Sequence, residues 1–444
     1  MEKTLNVGLL GFGTVGTGTA KILLSQKDLL EERAGCPINL KWICDKDLST
    51  DRGIEVPQEI LTDDVDRLFQ DQDLDIFIEL IGGLEPARTF VLKAIENGKH
   101  VVTANKALLA THGFEIFEAA SKAGVEIGFE ASVGGGIPCI KAIKEGLVAN
   151  NVHTVLGIMN GTANFIITKM TDKGISFHHA LEQAQRFGYA EADPTYDIEG
   201  IDTAHKLAIM AILAFGQKIE LSDIYTEGIS RLTPLDISFA LELGYSIKLL
   251  AIGRQEDGII DLRIHPTMIP NDHLLSQVRG AYNAFYFIGD SVGKVMLYGM
   301  GAGQMPTGSA IVADVIDIAR NIEKGCPGRV PSLSIPFDNI APANIRPIDQ
   351  VRSKYYFRFT VKDQPGVLSK ISGILGEQQI SIASVVQKGR GQESSVPIVM
   401  VTHEATEGSV RTALEQIDKQ EFVLDKTMII RIEDLKALED SQDG

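Results

Sequence analysis

The sequence predicts an α/β protein in three parts: an N-terminal doubly wound parallel domain, an α+β middle, and a C-terminal β-α-β-β-α-β module. Three observations carry this. The glycine hexapeptide Gly11-Phe12-Gly13-Thr14-Val15-Gly16 stands between a strand-like apolar run, LNVGLL at 5–10, and a helical pattern through Ile22 to Leu30. Pro327, Pro331, Pro336, Pro342 and Pro347 crowd the stretch 325–349, which cannot be helix and reads as an extended linker. Beyond it, strand-like runs and amphipathic segments alternate in the split ferredoxin-like order.

A chain of 444 residues exceeds what one core usually organises, and a hydrophobic share of 44% places it among globular proteins. No apolar run is long enough to span a bilayer. The start, MEKTLNVGLLGFG, turns glycine-rich too early for a signal peptide, so a cytoplasmic location without membrane contact is expected. The formal charge of -17 argues against nucleic acid, which needs clustered Lys and Arg. Cys36, Cys44, Cys139 and Cys326 are scattered and form no CxxC, as reduced thiols would be. Cys139 follows a glycine loop, where a helix start could lower its pKa.

With a strand before and a helix after, the hexapeptide reads as a Rossmann-type dinucleotide site. Gly11, Gly13 and Gly16 permit the tight turn, the approach of the pyrophosphate and close helix packing, while the helix N-terminus receives the negative charge. A second strand, INLKWICD, ends at Asp45, which would accept hydrogen bonds from the adenosine ribose and favour NAD. Lys46 would instead pair with a 2′-phosphate, so NAD and NADP both stay open. Further strands are expected at 75–81, 99–103 and 125–130, giving a dinucleotide domain over 1–150.

Two features fall at the carboxyl ends of these strands, where open α/β sheets bind ligands. Thr103-Ala104-Asn105-Lys106 puts a lysine either over the cofactor or in a solvated loop. The run Glu130 to Pro138 contains three consecutive glycines. It can cradle an anion with N–H groups, hold a small hard cation with carbonyls and Glu130, or simply join domains.

The texture changes from about Val152, and residues 151–302 read as a substrate domain. Within it an acidic turn with Glu191, Asp193, Asp197 and Glu199 runs into a helix opening at Ile201, IDTAHKLAIMAILAF, so apolar that it must be buried. Asp202 and Lys206 lie four apart on one face, either as site residues or as a surface ion pair. His178-His179 begin an ordinary helix and receive no role. A second glycine loop feeds a helix at Thr307, which returns to the first domain and carries Gly303 toward the cofactor, so that 303–325 completes 1–150. The linker is 326–350 and the last domain 351–436, where Asp363-Gln364-Pro365-Gly366 turns a strand into a helix whose free N–H groups suit an amino-acid carboxylate. The polar residues from about Leu438 are expected to fray.

Together GFGTVG, TANK at 103–106, EASVGGGIP at 130–138, NGTANFI at 160–166 and GYAEADPTYDIEGIDTAHK at 188–206 resemble homoserine dehydrogenase over the first 325 residues or so. The C-terminal module with DQPGVL resembles an ACT regulatory domain. The resemblance implies reversible reduction of L-aspartate 4-semialdehyde to L-homoserine with NADH or NADPH, on the route to threonine, methionine and isoleucine. It casts Lys206 as general acid and Lys106 as the bridge between cofactor and substrate. Glu191 and Asp202 bind the substrate, with Asp197 of the acidic turn near its ammonium. Phe12, Thr14, Val15, Thr103, Gly188 and Gly303 contact the dinucleotide. The same resemblance implies a sodium ion held by Glu130 and the main chain at Val133, Gly135 and Ile137. Threonine or another end-product amino acid is expected to bind the ACT module around Asp363 and Gly366, and a homodimer or homotetramer is expected, with 151–302 serving dimerisation too. Relatives commonly carry an Arg where this chain has Asp45-Lys46.

Two rivals compete with this reading. One is a thioester-forming semialdehyde dehydrogenase with Cys139 as nucleophile, which lacks a recognisable activating His. The other is a non-catalytic nucleotide and amino-acid sensor, which leaves Lys106, Asp202 and Lys206 unexplained.

Overall fold

β1 (Leu5–Leu10) is buried along almost its whole length, as a strand flanked on both edges and covered on both faces must be. The computed structural model describes residues 4–387 and 395–434; the expectation for the end of the chain from Leu438 lies outside them. After β1 come α1 (Thr14–Ser25), α2 (Lys27–Ala34), β2 (Ile38–Cys44), β3 (Leu61–Thr62), α3 (Asp66–Gln70), β4 (Ile76–Glu79), α4 (Ala87–Glu96), β5 (His100–Thr103), α5 (Lys106–Ala123) and β6 (Ile127–Gly128). The expected single helix after the glycine loop is two, because Gln26 leaves helical geometry at φ -121°, ψ 30°. The strands form a parallel sheet in the order β3-β2-β1-β4-β5-β6. The order reverses between β1 and β4, so their carboxyl ends open the crevice in which such sheets bind dinucleotides.

The chain continues through α6 (Cys139–Lys141), β7 (Val152–Ile158), α7 (Gly161–Lys173), α8 (Phe177–Arg186), α9 (Thr195–Ile198), α10 (Ile201–Phe215), β8 (Gln217–Lys218), β9 (Tyr225–Thr226), α11 (Pro234–Glu242), β10 (Tyr245–Glu256), β11 (Ile259–Pro270), β12 (Tyr282–Gly289), β13 (Gly293–Met300) and α12 (Gln304–Glu323). It ends in β14 (Ala341–Pro342), β15 (Arg352–Lys362), α13 (Val367–Glu377), β16 (Ile382–Gln387), β17 (Ser395–Thr402), β18 (Ala405–Thr406), α14 (Glu407–Asp418) and β19 (Val423–Ile432).

Two compact units result, and the chain passes between them repeatedly. Unit 1 gathers 1–161, 203–223 and 282–343; unit 2 gathers 162–202, 224–281 and 344–444. In unit 1, α12 starts at Gln304, a turn before the expected Thr307. Its Ile311, Val315 and Ala319 join Leu5, Val7, Leu9 and Ile22 in one core. The strands β7, β12 and β13 pair antiparallel. The proline-rich stretch forms no α-helix but is not uniformly extended, with 3-10 turns at Phe337–Asn339 and Ile348–Gln350, and it is not free, since Leu333 is buried and Ala341-Pro342 pairs with Gln217-Lys218.

Unit 2 holds a sheet in the order β10-β11-β19-β15-β17-β16, whose last four strands with α13 and α14 make the β-α-β-β-α-β module. Tyr355, Phe357, Phe359 and Val361 alternate along β15 and meet Val367, Ile371, Val410 and Ile417 of the two helices. The module is not a bead on a string, because β19 pairs in parallel with β11, setting Arg431 beside Thr267.

Candidate active site

The glycine loop of unit 1 is shaped by close approaches. A Cβ on Gly16 would overlap the Gly11 carbonyl, and one on Gly11 would stand 2.7 Å from the Leu80 main chain. Gly13, the residue before α1, has open space where a Cβ would go and leaves the helix N-terminus without a side-chain cap. That is a cradle for a phosphate. Thr14 and Val15 open α1. Asp45, just past β2, accepts the Phe12 N–H at 2.5 Å and the Asp47 N–H at 2.9 Å, bracing the loop. Arg52 lies over the Phe12 ring at 4.7 Å, and its Nε donates to the Phe12 carbonyl.

At the ends of β4 and β5 a buried carboxylate organises the TANK segment. Glu79 takes the Thr103 hydroxyl at 2.7 Å and the N–H groups of Ile81 and Gly82, while burial raises its pKa. The Thr103 hydroxyl then receives the Asn105 N–H at 3.0 Å, and the Asn105 side chain caps α5 through the Leu108 N–H at 3.1 Å. Lys106 thus opens a helix fixed in place, half-buried, at the carboxyl edge of the sheet.

Glu130 follows β6 and is buried, each carboxylate oxygen receiving a main-chain N–H at 2.8 Å, from Ile140 and Lys141. Burial first, and Asp314 second, push its pKa up to about 7. The loop beyond bends at Gly135, φ 58°, so tightly against Gly301 that a Cβ would touch its main chain at 2.5 Å. Val133 and Ile137 on either side are buried.

Lys206 stands on α10, 8% exposed, and its ammonium donates to the Met159 carbonyl at 2.7 Å. The same carbonyl accepts Asn283 Nδ2 at 2.9 Å, and the Asn283 Oδ1 is buried with no hydrogen-bond partner among the described residues. Leu207, Ala208, Met210 and Ala211 around the lysine are fully buried, so its charge sits in an apolar wall and not on a surface helix. Gly303 of the same unit caps α12.

The acidic turn belongs to unit 2. Gly188, Glu191 and Asp193 are exposed, Asp197 is half-buried on α9, and Asp202 in the first turn of α10 is 5% exposed. The turn is tied down by Thr162, whose hydroxyl donates to the Tyr189 carbonyl, and by Gln185, whose Nε2 donates to the Glu191 carbonyl at 3.1 Å. The Phe165 and Tyr189 rings meet at 4.8 Å.

The alternative built on Cys139 does not survive. The thiol opens α6 as expected, but it is fully buried and burial drives its pKa well above 9.0, the reverse of activation by a helix start. A cavity of about 480 Å³ also lies in unit 1, between α12, β6 and the proline-rich stretch. It takes in Glu130 but neither the glycine loop nor Lys106 nor Lys206, so it is not the place of the chemistry described above.

Comparison with known proteins finds family matches in all three parts of the chain. Residues 11–130 match the homoserine dehydrogenase NAD-binding family model, 138–316 the homoserine dehydrogenase model and 355–422 the ACT model. The chain is 45% identical to the homoserine dehydrogenase of Neisseria gonorrhoeae over 434 residues, covering 98% of this chain and 99% of that one. It belongs to the homoserine dehydrogenase family.

It is accordingly an NAD(P)-dependent oxidoreductase of the CH–OH group, interconverting L-aspartate 4-semialdehyde and L-homoserine. The crystal structure of the Thiobacillus denitrificans homoserine dehydrogenase superposes with a TM-score of 0.92 at 47% identity, covering 98% of this chain and all of that one. A hyperthermophilic archaeal homoserine dehydrogenase in complex with NADPH matches with a TM-score of 0.60 at 25% identity, over 71% of this chain and 97% of that one. Sequence reasoning missed Glu79, Arg52 and Asn283. Glu79 ends an apolar strand, a position that signals a site only once the strand order is known. Arg52 and Asn283 come from remote segments and carry no motif.

Proposed function

We propose that Lys206 gives a proton to the aldehyde oxygen of L-aspartate 4-semialdehyde as hydride reaches its carbon, and takes it back in the reverse direction. The observation that carries this is a lysine ammonium set in an apolar wall and aimed by its bond to the Met159 main-chain carbonyl. Alkoxide charge developing beside such a group is neutralised with little reorganisation. Lys106, preset by the Asn105 cap, shares in polarising the oxygen. Glu191, Asp197 and Asp202 bind the substrate's ammonium end.

The glycine cradle with Thr14, Val15, Thr103, Gly188 and Gly303 holds NAD(P), which when bound supplies the hydride. NADPH is the favoured form, since Arg52 lies on the Phe12 ring, Lys46 follows Asp45 in sequence, and the Asp45 carboxylate already accepts the Phe12 and Asp47 N–H groups. The archaeal relative with NADPH supports the choice. Glu130 with the main chain at Val133, Gly135 and Ile137 is an all-oxygen donor set that suits sodium, which would pin this loop. Threonine fits the uncapped N-terminus of α13 at Gly366, near Asp363.

We further take the enzyme to be a cytoplasmic homodimer or homotetramer; among the described residues no helix is long and apolar enough to cross a membrane. The decisive assay is oxidation of NADPH and NADH dependent on aspartate semialdehyde, by wild type and Lys206→Arg. Turnover by the arginine variant close to wild type would remove the general-acid assignment.

A further inference from the structure

The acidic turn does not stand alone within unit 2. Its last residues lie against the segment after β9: the Ile229 N–H donates to the Ile198 carbonyl at 2.8 Å. A Cβ on Gly228 would overlap the Glu199 carboxylate, and one on Gly200 would lie 3.0 Å from the Thr226 methyl. A Cβ on Gly228 would also come within 2.5 Å of the Ile198 carbonyl and 2.6 Å of the Glu199 Cα, so the two segments are closely packed and a displacement of 227–229 is passed to 198–200.

What holds 227 comes from the ACT module. Arg431 on β19 is 1% exposed and spreads its guanidinium over two carboxylates from separate elements. Nε and Nη2 take Glu407 of α14 at 2.9 and 2.5 Å, and Nη1 takes Glu227 at 2.9 Å. The Tyr225 hydroxyl donates to the same Glu227 carboxylate at 3.0 Å, and the Tyr225 ring lies 5.1 Å from the Arg431 guanidinium carbon. Glu407 already neutralises the arginine through two bonds, and the Glu227 side chain keeps 30% of its exposure. The third bond is therefore not needed to bury the charge. What it adds is a fixed position for residue 227, which only a planar fork can hold from two sides.

We propose that Arg431 and Glu227 are positioning residues for the substrate, setting through the 227–229 main chain the turn that ends in Asp202. The inference rests on Glu191 and Asp202 as the substrate's ligands. It also gives the ACT module a physical grip on substrate affinity: whatever shifts β19 against α14 shifts residue 227.

Glu227→Gln keeps the shape and removes the charge. The expected result is a KM for aspartate semialdehyde raised about tenfold, with kcat within about twofold and the KM for the dinucleotide unmoved, a partial misplacement of binding groups. Glu227→Asp, which keeps the charge, is expected to recover part of that KM. Gly228→Ala reaches the turn without touching the ion pair and should give the same KM signature. Lowered thermal stability with unchanged KM in both Glu227→Gln and Gly228→Ala would overturn the inference and leave a structural ion pair. Asp202→Asn separates the two levels. If it too leaves KM unchanged, the turn is not the substrate's site and the inference falls with that reading; if it raises KM while Glu227→Gln does not, the inference falls alone.

Discussion

Lys206 and Asn283 share one acceptor: the Met159 carbonyl receives the lysine ammonium at 2.7 Å and the asparagine amide at 2.9 Å. A carbonyl bonded twice has a fixed direction, so the lysine proposed as proton donor is aimed before substrate arrives. Lys206→Ala is expected to lose about a hundredfold to ten-thousandfold in kcat, the share of a general acid. Lys206→Arg should not restore it, because guanidinium keeps its proton. Steady-state kinetics in both directions check this.

Asn283→Ala leaves the Met159 carbonyl to Lys206 alone. One net hydrogen bond of about 1 kcal/mol sets the scale, so kcat is expected to fall roughly fivefold to tenfold. The KM for the dinucleotide should not move, and a loss of dinucleotide affinity instead would show that Asn283 supports the Gly301 segment and not the lysine.

Arg52 lies on the Phe12 ring beside the carboxyl end of β2. Arg52→Gln is expected to raise the KM for NADPH about tenfold to a hundredfold relative to NADH, the worth of a charge-assisted bond to phosphate. A variant that loses both dinucleotides equally would mark Arg52 as a brace for the glycine loop only.

Lys248 is buried on β10, where its ammonium donates to the Val278 carbonyl and to Asn164 Oδ1 at 3.3 Å. Burial pushes its pKa from 10.5 down to about 8. The folded state thus gives up this proton more readily than the unfolded one. The group's stabilising share is complete above pH 10.5 and is lost as pH falls through about 8. Relative to Lys248→Met, wild type is expected to gain on the order of 3 kcal/mol between neutral pH and the upper end of that window, from the ~1.36 kcal/mol per pK unit. Denaturant unfolding of both proteins across the window measures it.

The proposed inhibition by threonine is best tested by a point change. Deleting the ACT module would strip β19 from β11 and leave Arg254 and Arg263 without Glu433, with which they pair at 2.7 and 2.9 Å. A truncated chain is therefore expected to be unstable, by about the 3–5 kcal/mol of a broken buried pair. Asp363→Ala lies on the exposed turn before α13. It should raise the threonine needed for half-inhibition about tenfold without changing kcat, within the usual range of coupling energies.

Local features of the chain announced much of this. The strand, glycine turn and helix at 5–25, the TANK segment and the apolar helix after Ile201 are contiguous runs whose spacing alone states their geometry. The proline-rich stretch was legible as non-helical, but not as packed, because burial of Leu333 depends on what lies opposite it. The helix after Gly303 was expected about one turn short, since glycine and proline near its start mask the first turn.

Arrangement across long separations was a different matter. Residue types and periodicity told which parts the chain carries: a dinucleotide turn, a buried lysine, an acidic turn and a ferredoxin-like module. Only the folded molecule put Asn283 on the carbonyl that holds Lys206, Arg52 on Phe12, and Arg431 of the last strand on Glu227 beside the acidic turn. Such pairs join positions about 40 to 200 residues apart, and which of many compatible partners meet is set by strand order and packing, not by any spacing along the chain.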